Sequence, residues 1–140
     1  MNSPAADVVC RILAGDLPAE VVHRDGQLIA FLDHRPVFKG HTLVSPVTHV
    51  GTLPELPGEL VAPLFTLVQR MATAMVEGLG AQGSFTAINT LVSQSVPHLH
   101  VHVVPRTKGD GLRGFFWPRT KYADGEAADY ATRLRAALTP

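Results

Sequence analysis

Hydrophobic positions recur along the chain at two spacings, which predict different elements. Between Leu60 and Met75 they fall three or four residues apart, the spacing of one helix face. The long helix predicted there ends at Gly78 and Gly80, because glycine favours helix ends. Its apolar stripe comprises Leu60, Leu64, Leu67, Val68, Met71 and Met75. Pro63 is expected in the first turn or at the true start, since a proline deeper inside removes a backbone hydrogen bond.

Shorter apolar runs predict a short helix and five strands. The run after Asp7 predicts a helix over 7–14, with Asp7 as its N-cap. Two β-rich runs flank Asp25-Gly26, a dipeptide that supplies the positive backbone dihedrals of a tight hairpin turn. "HTLV", which ends before Pro46, predicts a third strand. The last two strands are "SFTAINT" and "HLHVHVV", and "GEAADYATRLRAAL" predicts a final amphipathic helix.

This order of elements predicts the fold class. Strands joined by hairpins and later crossed by one long helix indicate an α+β domain, with an antiparallel sheet and helices packed on one face. No glycine-rich phosphate loop follows a strand, which argues against a dinucleotide-binding fold. With 140 residues, we expect a single domain over 1–140, with a core of about 7–108 and a C-terminal loop and helix of about 109–140.

Composition then narrows the function. The 12 lysines and arginines balance the 12 aspartates and glutamates, so no basic surface for nucleic acid or anionic membranes is expected. The first residues lack a secretory pattern, and no apolar stretch reaches the roughly 18 residues of a membrane span. We therefore expect a cytoplasmic protein. The single cysteine, Cys10, agrees with a reducing compartment, because it has no partner for an internal disulfide.

The most informative stretch is "HLHVHVV", in which His98, His100 and His102 alternate with aliphatic residues. Alternate side chains of a strand share one face, so the three imidazoles are expected to line one face and act on one ligand. Three interpretations stay open from the residues alone: a structural strand, a facial zinc site, or a nucleophilic imidazole assisted by its neighbours. No acidic residue within the strand supports a metal, but metal and catalysis remain close.

The wider pattern is similar to a known family. "HLHVHVVPR", preceded by "QSV" and by the upstream "FLDHRPVFKGHTLVSP", closely resembles the histidine triad (HIT) superfamily of nucleotide hydrolases and transferases, in its Hint-like and Fhit-like branches. The family signature His-φ-His-φ-His-φ-φ, with φ apolar, fits at all seven positions. The resemblance runs from about Val9 to Arg106. It implies a HIT fold with a five-stranded antiparallel sheet, a long central helix and a short N-terminal helix, the sheet being extended across a homodimer.

The resemblance also implies a role for each histidine. His100 maps to the nucleophile, which attacks the α-phosphorus of a nucleoside monophosphate ester, anhydride or amide and forms a nucleotidyl-histidine that water hydrolyses. The backbone carbonyl of His98 accepts a hydrogen bond from the other ring nitrogen of His100. His102 offers a proton to a non-bridging phosphate oxygen, and His41 joins the network behind the nucleophile. Ser95 is placed to donate to the phosphate or the leaving group.

The same resemblance implies a substrate-binding set around the triad. Asp33 would accept the ribose hydroxyls, because a carboxylate can take two hydrogen bonds. Phe31 and Leu32 would wall the base. Asn89 matches a phosphate contact of the family, and Gln94 belongs to the same substrate-binding set.

Parts of the sequence depart from the family or have two interpretations. Between Asn89 and the triad the family commonly has a glycine-containing loop, whereas "NTLVSQSVPH" has no glycine and is about two residues shorter, which leaves the leaving-group preference open. Arg106 is interpreted equally well as a phosphate clamp or as a solvated residue. The aromatic tail Phe115-Phe116-Trp117 could cover the active site or pack at a subunit boundary.

The resemblance also raises the question of zinc. Some bacterial relatives bind structural zinc through a Cys-x-x-Cys, a further histidine and the first triad histidine. Here Asp7 stands where the first cysteine would be, while Cys10, His49 and His98 remain. We expect no zinc and no other tightly bound cofactor, because a mixed Asp-Cys-His-His site is uncommon. A divalent cation would enter only with a polyphosphate substrate.

The predicted function combines these points. We expect a hydrolase that releases an AMP-like purine nucleoside 5′-monophosphate from a phosphoramidate, an anhydride or a polyphosphate. Three alternatives stay open: a nucleotidyltransferase with the same intermediate, a nucleotide-binding module without chemistry, and a zinc-dependent hydrolase. Transferases of the superfamily commonly have glutamine at the last triad position, whereas His102 is retained here.

Overall fold

The structure, a computed structural model, describes residues 7–112 and 119–138 of the chain. The helices are α1 (Val8–Leu13), α2 (Gly58–Leu79) and α3 (Glu126–Leu138), with a 3-10 turn at Leu53–Glu55. The strands are β1 (Val21–Arg24), β2 (Leu28–Leu32), β3 (Thr42–Pro46), β4 (Gly83–Ala87) and β5 (Val101–Arg106). The chain divides into two compact units, of which the first ends at Asp110 and the second begins at Gly111.

The five strands form one sheet in the order β1-β2-β3-β5-β4. Every neighbouring pair is antiparallel. β5 lies between β3 and β4, so His102 is opposite Leu43 on one side and Ala87 on the other. The predicted α+β class with a five-stranded antiparallel sheet is confirmed. β5, which contains the last histidine of the triad, is an interior strand of that sheet.

Helix α2 packs on one face of the sheet, against β3, β4 and β5. Its predicted apolar stripe is buried there, and it meets the aliphatic residues that alternate with the triad histidines. These residues, Leu99, Val101 and Val103, are at most 1% exposed. The alternation therefore turns the aliphatic side chains to the core, as the sequence predicted.

Helix α1 packs on the opposite face. Val9 and Ile12 cluster with Ile29 and Phe31 of β2, whereas Ala30, between those two, lies in the core under α2. Because successive side chains of a strand point to opposite faces, α1 and α2 cover different faces. The prediction that the helices share one face is wrong, since the second face also carries apolar residues that need cover.

Helix α2 begins earlier than the sequence suggested. It starts at Gly58, so Pro63 is its sixth residue and lies beyond the first turn. Pro63 removes one backbone hydrogen bond, but burial of Leu60 and Leu64 holds the turns around it in the helix. The predicted end is confirmed at Gly80, whose φ of 72° is the left-handed conformation typical of a helix C-terminus.

The turn between β1 and β2 lies where the sequence placed it but forms differently. The connection spans residues 25–27, and Gly26 does not have a positive φ. The Asp25 carboxylate accepts hydrogen bonds from the backbone N–H groups of Gln27 and Leu28. Because the Asp25 carboxylate bonds to backbone N–H groups two and three residues later in the chain, it stabilises the turn without left-handed dihedrals.

Strands β4 and β5 are shorter than predicted at the ends joined by their connecting loop. β4 ends at Ala87, so Asn89 lies beyond it, and β5 begins at Val101. His98 and His100 therefore precede the regular strand, and His102 alone of the three lies within it. The conformation around His98 depends on contacts outside the β ladder.

The second unit contains α3, where the sequence predicted an amphipathic helix. Ring centroids of Tyr122 and Tyr130 lie 5.9 Å apart, and the Arg133 guanidinium lies 4.4 Å from the Tyr130 centroid. The predicted aromatic tail at 115–117 falls outside the described residues. Within 7–112 and 119–138, no helix combines the length and apolar character needed to cross a membrane.

Candidate active site

One hydrogen bond determines which ring nitrogen of His100 is free. Its Nδ1 lies 2.7 Å from the backbone carbonyl oxygen of His98. A carbonyl can only accept, so Nδ1 carries the proton and donates. Nε2 of the neutral ring keeps its lone pair, which is what a nucleophile needs. The contact that the family resemblance implied for the His98 carbonyl is present.

A chain of hydrogen bonds through His41 orients His102. The Val37 N–H donates to Nδ1 of His41 at 3.1 Å. Nε2 of His41 must then carry the proton, and it donates to Nδ1 of His102 at 2.9 Å. This assigns the proton of neutral His102 to its Nε2. The His102 and His100 ring centroids are 5.0 Å apart, so the ring that carries this N–H is next to the ring whose Nε2 keeps a lone pair.

Burial keeps this relay uncharged. Burial first, and then the neighbouring His100 and His41, lower the pKa of His102 to about 4. Burial also lowers the pKa of His41, although Asp33 acts in the opposite direction. At neutral pH both rings are therefore neutral, and His102 offers a polar N–H rather than a full positive charge.

Asp33 lies at the edge of the same network. Its Oδ2 is 3.8 Å from Nε2 of His41, and its Oδ1 accepts the Arg35 backbone N–H at 2.9 Å. The bond to Arg35 holds the Asp33 side chain in place. The side chain is 21% exposed, so a ligand can still reach it. The two residues predicted to wall the base differ: Phe31 is 3% exposed and packs with α1, whereas Leu32 is 38% exposed.

The loop between β4 and β5 carries two further predicted residues, Asn89 and Ser95, and both are exposed. The absence of glycine from this loop has a structural consequence. Leu91 and Ser93 adopt positive φ angles of 64° and 63°, a region that costs non-glycine residues free energy. Such conformations persist only where the surroundings impose them.

Gln94 imposes the conformation of that loop. Its Nε2 donates to the carbonyl oxygens of Gly51 at 2.7 Å and Val96 at 3.0 Å. Its Oε1 accepts the Leu91 backbone N–H at 2.9 Å. Both amide hydrogens are thus used within the protein, so the structure assigns Gln94 to fixing the loop. The predicted contact between Gln94 and substrate requires one of these bonds to break if Nε2 donates to the substrate, whereas Oε1 keeps a second lone pair.

A model of a known protein family matches most of this chain. The model of the HIT domain matches residues 14–109, more than half of the chain. The chain belongs to the HIT family.

HIT relatives are similar over most of this chain. "Protein hit" of Bacillus subtilis is 41% identical, over 79% of this chain and 77% of that protein. The adenosine 5′-monophosphoramidase hnt1 of Schizosaccharomyces pombe is 31% identical, over 79% of this chain and 82% of the relative.

Solved HIT structures have the same fold. A HIT family protein from Bacillus subtilis superposes with a TM-score of 0.87 at 34% identity, over 96% of this chain and 99% of the other. A zinc-bound histidine triad protein from Mycobacterium smegmatis gives a TM-score of 0.74 at 38% identity, over 96% and 99% of the two chains.

The first histidine of the HIT triad belongs to a different cluster from the other two. The ring of His98 is fully buried, and its Nε2 donates to the Pro46 carbonyl at 2.8 Å. Its Nδ1 lies 3.3 Å from Oδ2 of Asp7 and 3.6 Å from Sγ of Cys10. The prediction that all three imidazoles act on one ligand is therefore wrong for the His98 ring, since the chain turns it toward α1 before β5 begins.

His49 completes this second cluster. Its Nδ1 is 2.9 Å from Oδ2 of Asp7 and 3.8 Å from Sγ of Cys10. One ligand atom from each of Asp7, Cys10, His49 and His98 lies within 4.8 Å of the others. The four residues that the sequence considered for zinc are thus brought together, which spacing along the chain could not establish.

The donor set fits a divalent metal ion in its chemistry. Nε2 of His98 donates to the Pro46 carbonyl, so Nδ1 faces the Asp7 carboxylate at 3.3 Å, and a proton or a metal ion must lie between these two atoms. Burial disfavours ionised Asp7, but hydrogen bonds from Cys10 and the nearby His98 outweigh it and hold the pKa of Asp7 below its usual value. Burial, followed by Asp7, raises the pKa of Cys10 to about 11. A proton shared between Asp7 and His98, or a metal ion bound by all four groups, satisfies both of these atoms.

Arg106 has a structural partner. Its guanidinium binds both carboxylate oxygens of Asp110, at 2.6 and 3.1 Å. Neither interpretation from the sequence, a phosphate clamp or a solvated residue, anticipated this pair. Sequence reasoning also missed the backbone partners of the histidines, the Val37 N–H and the Pro46 carbonyl, because backbone groups leave no signal in residue type.

Proposed function

We propose that this HIT protein hydrolyses a nucleoside 5′-monophosphate from a phosphoramidate, anhydride or polyphosphate partner through a nucleotidyl-histidine intermediate. The observation that carries the proposal is the paired assignment of ring protons. The 2.7 Å bond to the His98 carbonyl leaves Nε2 of His100 with its lone pair. The His41 bond gives His102 a proton at Nε2. A nucleophile and an N–H donor for a phosphate oxygen are therefore prepared without a metal or a strong base.

The first step transfers the nucleotide to the protein. Nε2 of His100 gives its electron pair to the α-phosphorus, and the bond from phosphorus to the leaving nitrogen or oxygen breaks. The leaving group departs with that electron pair and takes a proton from solvent on the side where Ser95 is exposed. His100 now carries a positive charge, which the His98 carbonyl stabilises through the Nδ1 proton.

The second step regenerates the protein. Water attacks the same phosphorus, the bond from phosphorus to Nε2 of His100 breaks, and its electron pair returns to the ring. The proton lost by the water goes to solvent, and the nucleoside monophosphate leaves. The Nε2–H of His102 hydrogen-bonds a non-bridging oxygen in both steps.

An AMP-like purine nucleotide is the proposed substrate. Asp33 offers carboxylate oxygens to the ribose, and the exposed Leu32 is better placed to meet a base than the buried Phe31. The relative hnt1 is named an adenosine 5′-monophosphoramidase, which supports a phosphorus–nitrogen bond as the target. We further propose a cytoplasmic homodimer without nucleic-acid or membrane partners. A divalent cation would arrive only with a polyphosphate substrate.

Rapid mixing with adenosine 5′-phosphoramidate, followed by acid-free quenching and intact-protein mass spectrometry, tests the proposal. We expect an adduct of one nucleoside monophosphate on wild type and none on His100→Ala. His34→Ala is the matched control, because the His34 side chain is 87% exposed. Wild-type-like turnover by His100→Ala would refute the proposal. Binding of AMP without adduct or turnover would instead indicate a nucleotide-binding module.

A zinc ion held by Asp7, Cys10, His49 and His98 is a second candidate function, favoured by the closeness of their ligand atoms. The Mycobacterium smegmatis relative is described as zinc-bound. Such an ion would stabilise the packing of α1 on the sheet. Cobalt substitution tests it, because Cys10 is the single cysteine of the chain and a thiolate-to-cobalt absorption band can arise only there. Wild type is expected to show the band and Cys10→Ser to lack it; absence of the band and of zinc in wild type would reject the site.

A further inference from the structure

The orientation of His100 depends on a peptide group outside the β ladder. The ring is held by the carbonyl oxygen of His98. β5 begins only at Val101, and its pairing with β3 starts there as well. The peptide that carries this carbonyl is fixed at its other end by the Leu99 N–H, which donates to the Val50 carbonyl at 2.6 Å. The His98 backbone N–H donates to the Val96 carbonyl at 2.8 Å, and the His98 side chain supplies a further anchor.

The His98 side chain is held at both ring nitrogens. Nε2 donates to the carbonyl of Pro46, the last residue of β3. Nδ1 lies 3.3 Å from Oδ2 of Asp7, and both side chains are fully buried. Rotation of the ring would break both contacts where no solvent-exposed surface can replace them, so the ring and its backbone are fixed relative to β3 and to Asp7.

Asp7 is itself rigidly placed. Its Oδ1 accepts the Cys10 backbone N–H at 2.8 Å and so caps α1. Through Val9 and Ile12, that helix packs on β2. Asp7 therefore links a helix anchored on the sheet to the residue whose carbonyl holds the nucleophile.

We propose that Asp7 is a positioning residue that acts through His98 to set the tautomer and the orientation of His100; this rests on the proposed role of His100 as nucleophile. Among the described residues, 7–112 and 119–138, Asp7 is the one carboxylate in contact with the His98 ring, and it also contacts His49. The link holds whether a proton or a metal ion lies between Asp7 and His98, because either attracts both groups to the same place.

Asp7→Asn is the test variant. An asparagine can still accept the Cys10 N–H and cap α1, but it removes the negative charge that faces His98. Asp25→Asn is the matched control, because Asp25 also accepts backbone N–H groups and pairs with a histidine, His23, at 2.8 Å. Asp7→Ser retains an N-cap acceptor and serves if the asparagine variant does not fold. The metal content of each protein is measured by elemental analysis.

Two measurements separate positioning from general structural damage. Long-range ¹H–¹⁵N NMR of the imidazoles reports the tautomer of His100, and steady-state kinetics with adenosine 5′-phosphoramidate report kcat and KM. We expect Asp7→Asn to convert His100 from a single Nδ1–H tautomer to a mixture and to lower kcat about tenfold, with KM changed by less than about twofold. Asp25→Asn should change neither quantity.

A folded Asp7→Asn protein with the wild-type tautomer and wild-type kcat would overturn the inference. A loss of kcat shared equally by Asp25→Asn would overturn it as well. If wild type forms no adduct and turns nothing over, the proposed function fails, and the His100 tautomer then decides the role of Asp7 by itself: a change in Asp7→Asn upholds it, and no change rejects it.

Discussion

Nε2 of His41 lies 2.9 Å from Nδ1 of His102, although 61 residues separate them in the chain. Because the Val37 N–H occupies the other nitrogen of His41, this contact has a direction, from His41 to His102. His41 decides where His102 carries its proton without needing to reach the substrate.

Removal of the His41 imidazole should therefore impair chemistry more than binding. In His41→Ala, His102 can take either tautomer, and its Nε2 no longer always presents a proton. We expect kcat to fall by about 10- to 100-fold with a small change in KM, as for other partners behind a reacting group. Steady-state kinetics with adenosine 5′-phosphoramidate measure this. His23→Ala, which changes a histidine of the β1–β2 hairpin, is the control and should keep wild-type kcat.

The neutral His102 predicts how stability depends on pH. Its pKa is about 4 in the folded protein, below the ordinary value of about 6.5, so protons bind the unfolded state more readily. The free energy of unfolding is therefore at its full value above about pH 6.5, and it decreases as the pH falls from there toward about 4. His41, whose pKa is also lowered by burial, adds to the same trend.

Urea unfolding between pH 4 and pH 8 measures this dependence. His102→Gln removes one of the titrating groups and should flatten the fall in free energy of unfolding over that range. An equally steep fall in His102→Gln would show that other groups cause it.

The left-handed backbone of Ser93 predicts a stabilising substitution. Glycine adopts a φ of 63° without the steric cost that serine has, so Ser93→Gly should raise the free energy of unfolding by about 0.5–1 kcal/mol. Ser95, in the same loop, is not among the residues with positive φ. Ser95→Gly should therefore lower stability or leave it unchanged. A destabilised Ser93→Gly protein, judged by its urea midpoint, would contradict the strain.

The hydrogen bonds of Gln94 predict that its substitution destabilises the protein, in contrast to Ser93→Gly in the same loop. Gln94→Ala loses three hydrogen bonds and leaves the Gly51 and Val96 carbonyls without that donor, so stability should fall by about 1–2 kcal/mol. Gln94→Glu has the same shape but cannot donate to either carbonyl, and it should destabilise at least as much. If the glutamate variant were as stable as wild type, Gln94 would not be the anchor of the loop. Thermal and urea unfolding of the three proteins decide between these outcomes.

Local periodicity predicted most of the fold correctly. The stripe from Leu60 to Met75 and the alternation around His100 each reflect which side of one element is buried, and that information lies in neighbouring residues. Helix α1 shows what local periodicity cannot predict, because the face of the sheet that α1 covers depends on how the chain packs in three dimensions. The start of α2 before Pro63 shows another limit, since core packing outweighed a local proline penalty.

By itself, the sequence determined the α+β class and the order of the elements, because residue type and spacing encode periodicity. His100 became the candidate nucleophile only through the resemblance of the histidine pattern to the HIT family. Tertiary structure decided which ring nitrogen of His100 is free and where His102 holds its proton, since backbone carbonyls and N–H groups make those choices. It also separated the His98 ring from the other two and brought it to Asp7, 91 residues away in the chain. Contacts between distant segments arise only when the chain packs, so no spacing along the sequence could specify them.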